Sequence, residues 1–273
     1  MCLKTKVMVV NLNISQWTAR KYDAGASREV EQNHGATDAG RFNKILIAND
    51  SLKKIQKVAG SARTYHYFNT LPWGDNGDRI LPTANYFNYV SEIGKFKSDF
   101  DTLVSDFVSL YPALKEEARM RLNTLFSESD YPMPGQIERK FDLRISFMPV
   151  SDGDDLRVNI SQEEIERIKS EINGAISDRV TGAVTEMLSR IREAVSHVAD
   201  TLEIPDKIFR DSLIGNVCSL IETIPLLNFD NDKHVNEVVD LIRPLCVDPE
   251  QLRNNQEFRK EIALKAKFVL NLI

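Results

Sequence analysis

Ser161–Leu202, SQEEIERIKSEINGAISDRVTGAVTEMLSRIREAVSHVADTL, is the stretch on which the architecture turns. Ser161, Gln162, Glu163 and Glu164 have the Ser-x-x-Glu form of a capping box, in which the serine oxygen and the glutamate satisfy N–H groups that a helix start leaves orphaned. Beyond it Ile165, Ile168, Ile172, Ile176, Val180, Val184, Met187, Ile191, Val195, Val198 and Leu202 recur three or four residues apart. Glu163, Glu166, Lys169, Arg179, Glu186, Arg190 and Arg192 fall outside that stripe, so the spacing predicts one amphipathic helix. Pro205 stops it. At about 1.5 Å per residue the rod is roughly 60 Å long, more than one small core covers, so it requires a partner.

Upstream, Tyr86, Ile93, Phe100, Phe107 and Leu114 stand seven apart, with Tyr89, Phe96, Leu103 and Leu110 at the intervening positions. That is a coiled-coil seam of bulky residues, which suits the small Ala175, Ala183, Ala194 and Ala199 of the later helix. Pro112 is expected to kink or break the helix, with Leu114, Ala118, Leu122 and Leu125 continuing its apolar face. Phe141, Leu143, Ile145 and Phe147 then alternate with polar residues, and Leu156, Val158 and Ile160 do so after the acidic turn 151–155. This pattern predicts a β-hairpin near 141–160. The expected fold is mainly helical α+β, in which the two helices form a long antiparallel arm carrying the hairpin. Met8, Val10, Leu12 and Ile14 give an opening strand able to join that hairpin as a third member. Residues 1–84 form a strand and helix region, 85–204 the arm, and 205–273 a helical C-terminal portion punctuated by Pro225, Pro244 and Pro249.

The 273 residues carry a net charge of −5, which argues against a chain that coats nucleic acid through its overall field. No apolar run predicts membrane insertion or export. Cys2, Cys218 and Cys246 are odd in number with no C-x-x-C pair, so the expectation is reduced thiols in a cytoplasmic protein. Nucleotide-binding glycine loops, His-Glu-x-x-His and Gly-x-Ser-x-Gly are absent, and His34, His66, His197 and His234 lack metal-ligand spacing. Asp75, Asp78, Asp152, Asp154 and Asp155 offer clustered oxygens in two loops, but the spacing fits no EF-hand and aspartates also serve tight turns. No catalytic residue, cofactor or metal is therefore assigned.

Two kinds of surface remain as candidates. A helix from Ser51 places Leu52, Ile55, Val58 or Ala59, Ala62 and Tyr65 on one side and Lys53, Lys54, Lys57 and Arg63 largely on others. With Trp73 beyond it, this is the candidate nucleic-acid face, since cations and stacking rings are what a single strand requires. Phe100, Phe107, Ile145 and Phe147 are the candidate self-association interface, because long apolar seams need covering. The glycine-rich, charged passage from Asp23 to Gly40 reads as a loop with one short helix, serving either function or simple connection.

Gly35-Ala-Thr-Asp-Ala-Gly-Arg-Phe-Asn-Lys44, Thr70-Leu-Pro-Trp73 and Asp78-Arg-Ile-Leu-Pro82 together resemble domain-of-unknown-function family 3150, uncharacterised proteins of tailed phages and integrative elements. The resemblance implies a mobile-element setting alongside AAA+ ATPases, von Willebrand-type domains or recombination genes, and it transfers no catalytic residue. The expected function is a non-enzymatic oligomeric scaffold or adaptor in a bacterial host's cytoplasm, with an AAA+ ATPase or another mobile-element or host protein as partner. A DNA-associated accessory or inhibitor of a host nuclease or defence is the alternative, and an unrecognised metal-dependent enzyme the third.

Overall fold

A computed structural model describes residues 3–48, 50–74, 77–158 and 160–273. The protein is mainly helical α+β, with 67% of residues helical and 11% in strands. Its elements run β1 (Val7–Ser15), β2 (Arg20–Tyr22), α1 (Ala24–His34), β3 (Asn43–Ile45), α2 (Asp50–Phe68), β4 (Leu71–Pro72), β5 (Arg79–Pro82) and α3 (Tyr86–Leu122). There follow α4 (Pro134–Ile137), β6 (Asp142–Pro149), α5 (Gln162–Leu202), α6 (Ser212–Leu227), α7 (Lys233–Ile242), α8 (Pro249–Asn254) and α9 (Gln256–Leu270). The chain divides into two compact units: the first comprises Met1–Asn11, His66–Val90 and Ser146–Ile273, the second Leu12–Tyr65 and Ser91–Ile145.

The first unit is built on α5. Ser161 caps it as expected, accepting from the Glu164 N–H at 3.4 Å, and the helix runs unbroken to Leu202. Burial begins only at Ala183 and continues through Met187, Ile191, Val195, Val198, Ala199 and Leu202, while the first five turns stay largely in water. The covering surface comes from α6, α7 and α9, with Val7, Leu71, Trp73 and Ile80 in the same core. At the carboxyl end, the buried guanidinium of Arg259 on α9 donates to the carbonyls of Thr201, Leu202, Ile204 and Lys207 at 2.9–3.2 Å. A cation there answers both the orphan carbonyls and the negative end of the helix dipole.

The antiparallel arm is therefore corrected. Ala183 and Ala199 are buried among the C-terminal helices, Ala175 is exposed, and the heptad aromatics Phe100 and Phe107 belong to a different core. The hairpin is corrected too. Among the described residues of 156–160 none is in a strand; β6 instead lies beside β1 in a sheet ordered β4-β5-β1-β6. β1 pairs antiparallel with β5, Val7 facing Pro82 and Val10 facing Arg79. β6 is thus an edge strand of that sheet, and the acidic turn after it closes into one turn of 3-10 helix at 153–155 in place of a hairpin loop.

The second unit packs α3 against α2 and the segments around it. Its core holds Leu52, Ile55, Ala59 and Ala62 from α2, and Phe100, Val104, Phe107, Tyr111, Leu114 and Ala118 from α3. Rings of Trp17, Tyr111 and Phe141 surround Phe107 at centroid distances of 6.3, 6.0 and 5.6 Å. The seam is not a strict heptad. Leu110 is exposed, while Val104 and Tyr111, each one residue past the expected position, are buried, as is Ala118 on the expected continuation of the face. An unsupercoiled helix drifts about 20° per heptad from a 3.5-residue repeat, which carries the core face onto those residues. Pro112 lies inside α3 without ending it, held between the buried Tyr111 and Leu114.

Cys218 and Cys246 are joined by a disulfide with Cα atoms 5.2 Å apart, so the expectation of reduced thiols is corrected for this pair; Cys2 lies outside the described residues. Twenty-eight residues of separation concealed the bond, because α6, α7 and the turn after α7 bring the two together. In the loop-entropy view, closing a loop of that length contributes roughly 3–4 kcal/mol.

Candidate functional surfaces

Lys53, Lys54, Lys57 and Arg63 are exposed on α2 as the spacing predicts, but not as a free basic field. Lys53 pairs with Asp50 at 2.8 Å, and Arg63 donates to the Ile14 carbonyl at 3.2 Å. Trp73 is a correction. Only 8% exposed, it belongs to the core of the first unit with the Arg179 guanidinium 5.5 Å over its ring, so it has no face left for a base. The proline before it made the segment resemble an exposed turn, when it is the start of a short strand pair.

That pair accounts for two of the three stretches quoted above. Thr70–Trp73 and Asp78–Pro82 contain β4 and β5, with Leu71 opposite Ile80 and the Trp73 N–H bonded to the Asp78 carbonyl at 3.0 Å. Arg79 reaches back to the Thr70 hydroxyl at 2.7 Å and carbonyl at 2.8 Å. Arg190 of α5 donates to the same carbonyl and to that of Phe68, both at 3.0 Å, and is paired with Glu186. Burial, with the nearby Arg190 charge, brings Arg79 down to about 10. The motif is a structural clamp: two guanidinium groups satisfy carbonyls at the end of α2 and the start of the strand.

Beside the clamp, His66 is buried with Nδ1 2.7 Å from the Tyr89 hydroxyl. Burial, with Arg79 adding repulsion, lowers its pKa from 6.5 to about 4. Its folded-state pKa is thus below the unfolded value, and the unfolded chain binds the extra proton between pH 6.5 and 4. Stability is accordingly full above pH 6.5 and falls as pH drops through about 4, by up to about 3 kcal/mol. Thermal melts across that range are expected to show the decline, and His66→Gln, which keeps a hydrogen-bonding side chain without a titrating ring, to flatten it.

The third stretch closes α1 and positions a buried lysine. Asp23 caps α1 through the Ala26 N–H at 3.0 Å, and Gly35 ends it in the left-handed region at φ 58°. Lys44, at the end of the stretch, is buried between Asp23 at 3.0 Å and Asp130 at 2.6 Å, and also donates to the Leu125 carbonyl. Asp130, then Asp23, hold the Lys44 ammonium charged despite burial. Removing either acid leaves a buried charge half-compensated.

The acidic turn at 152–155 is occupied by cations of the chain itself. Lys4 bridges Asp152 and Asp155 at 2.7 and 2.9 Å, and Lys169 lies 3.5 Å from Asp154. Asp78 accepts from Asn11 at 3.2 Å, while Asp75 lies outside the described residues. Among the described residues no group of three or more His, Cys, Asp or Glu side chains is arranged to hold a metal ion. His34, His197 and His234 are exposed and far apart in the chain.

Of the expected interface residues, Phe100 and Phe107 are corrected: both are fully buried within the second unit and have nothing to offer a partner. Ile145 is half-buried. Phe147 is exposed and meets the Tyr86 ring edge-on at 5.7 Å, with Phe87 a further 5.3 Å from Tyr86. Phe87 is 82% exposed, and sequence reading missed it because it sits between seam positions, where a large aromatic with no core role is itself the clue. No helix is long and apolar enough to cross a membrane among the described residues. Comparison with family models, curated proteins and solved structures finds no match to this chain.

Proposed function

We propose that the chain is a non-enzymatic scaffold or adaptor that acts through protein–protein contacts and self-associates. The observation that carries this reading is the aromatic ledge of Phe87, Tyr86 and Phe147, whose outer rings lie in water. Exposed clustered aromatics are what interface anchors are made of. Supporting it, the polar clusters that an enzyme site would draw on are consumed by structural bonds: Arg79 and Arg190 on the Thr70 carbonyl, Arg259 on α5, and Lys44 between two aspartates.

The likeness of the three quoted stretches to phage and integrative-element proteins is what supports a mobile-element setting in this reading, with an AAA+ ATPase or a host protein as the second partner. The reading assigns a bacterial cytoplasm. The Cys218–Cys246 bond pulls against that compartment, because reducing pools keep most cytosolic thiols open. Light scattering coupled to gel filtration across a concentration series is expected to give more than one chain per particle, and Phe87→Ser with Phe147→Ser to shift it toward the monomer. A monomer at every concentration would refute self-association through this ledge.

A further inference from the structure

We propose that the β2–β3 ribbon of the second unit binds single-stranded nucleic acid, with Tyr22 and Phe42 stacking on bases and Arg20, Lys21 and Arg41 meeting phosphates. The ribbon pairs Arg20 with Ile45, Lys21 with Lys44 and Tyr22 with Asn43. Residues opposite one another share a face, so Lys21 and Lys44 share one, on which Lys21 is exposed and Lys44 buried. Arg20, Tyr22, Asn43 and Ile45 share the other, and all four are exposed. Tyr22 is 49% and Phe42 40% exposed, and Arg41 sits 6.0 Å over the Tyr22 ring. The cation covers one face of that exposed ring, which leaves the other for a base and puts a positive charge beside its phosphate.

The exposed Tyr22 ring under Arg41 separates this ribbon from the other basic surfaces of the unit, since Lys54 and Lys57 of α2 are also exposed and without an ion pair among the described residues but have no ring beneath them. Lys53, Lys95 and Lys97 are each spent on a carboxylate of their own helix at 2.7–2.9 Å. Arg20, Lys21 and Arg41 make no ion pair among the described residues. Of the acids near them in sequence, Asp23 caps α1 and holds Lys44 and Glu31 accepts the Ala39 N–H at 3.3 Å, while Asp38, just before Arg41, is exposed. Residues 12–65 hold nine Lys and Arg against five Asp and Glu, opposite in sign to the whole chain. Beside Phe42, a pocket of about 230 Å³ is walled by Ser27, Val30, Glu31, Ala39, Gly40 and Arg41. That is below the roughly 300–1,000 Å³ of drug-sized sites and suited to one planar ring. Bases in a duplex are stacked on each other and cannot use such rings, so the occupant is an unpaired strand.

The test is fluorescence anisotropy with the full chain and dye-labelled oligothymidylate and oligouridylate of about 12 nucleotides, beside a duplex of equal length. Three phosphate contacts predict a slope of log affinity against log salt of about −2 for a single strand. Tyr22→Ala and Phe42→Ala are each expected to weaken binding about tenfold, and Tyr22→Phe to restore it. Arg20, Lys21 and Arg41 changed together to Ala should abolish it, with melting curves confirming the fold. Stronger binding of one oligonucleotide than the other would identify the natural strand as DNA or RNA. No single-strand binding at low salt would overturn the proposal. So would binding that survives the ribbon changes but is lost when Lys53, Lys54 and Lys57 become Glu, or a preference for duplex.

Discussion

Arg259→Ala is expected to lower stability by about 4 kcal/mol, among the largest effects of any single substitution in the first unit. The side chain is buried and donates to four carbonyls where α5 ends. A charged hydrogen bond contributes about 1.5–3 kcal/mol, and a buried acceptor left without its donor costs about 1–3 more. These contributions overlap, so their sum is not reached. Water entering the vacated space would restore part of the loss, and the favourable cation at the negative end of the helix dipole would still be gone. Arg259→Lys is expected to recover less than half, since one ammonium cannot span carbonyls contributed by Thr201, Leu202, Ile204 and Lys207 at once. Denaturant unfolding checks both: a loss under 1 kcal/mol for the alanine variant would mean that the end of α5 is held by something else.

Phe107→Ala is expected to cost about 3–5 kcal/mol, the usual range for an aromatic removed from a packed core. Phe107 is wholly buried and touches three rings from separate segments, so its neighbours cannot close the space without losing contacts of their own. Leu at that position should cost much less, because it refills most of the volume. A Phe107→Ala variant that unfolds at wild-type denaturant concentration would remove the residue from the core.

Local rules carried the sequence reading a long way. The Ser161 cap, the length of α5, the exposed lysines of α2 and the mainly helical class follow from hydrogen-bonding chemistry and periodicity, which act within a few residues. What they leave open is which apolar stripe meets which. Two long stripes in one chain look like partners, yet α5 is covered from the C-terminal side of the sequence and α3 by α2, and no local pattern distinguishes those outcomes. The 141–160 alternation fails for a related reason: β6 is a strand, and its neighbour is β1, over a hundred residues away. Phe100 and Phe107 illustrate the cost, since a residue chosen as interface for its size proves to be core for the same reason. Of the candidate surfaces, the ribbon was hidden because its two halves, Arg20–Tyr22 and Arg41–Ile45, lie on either side of α1 and become one face only when paired.

Native-state hydrogen exchange along α5 tests the central claim about the architecture most directly. Residues 183–202, buried by α6, α7 and α9, are expected to contain some of the slowest amides in the chain, while residues 163–175, exposed or only partly buried, exchange through local fraying orders of magnitude faster. Uniform protection from 163 to 202, as a helix covered along its whole length by an antiparallel partner would give, would contradict it.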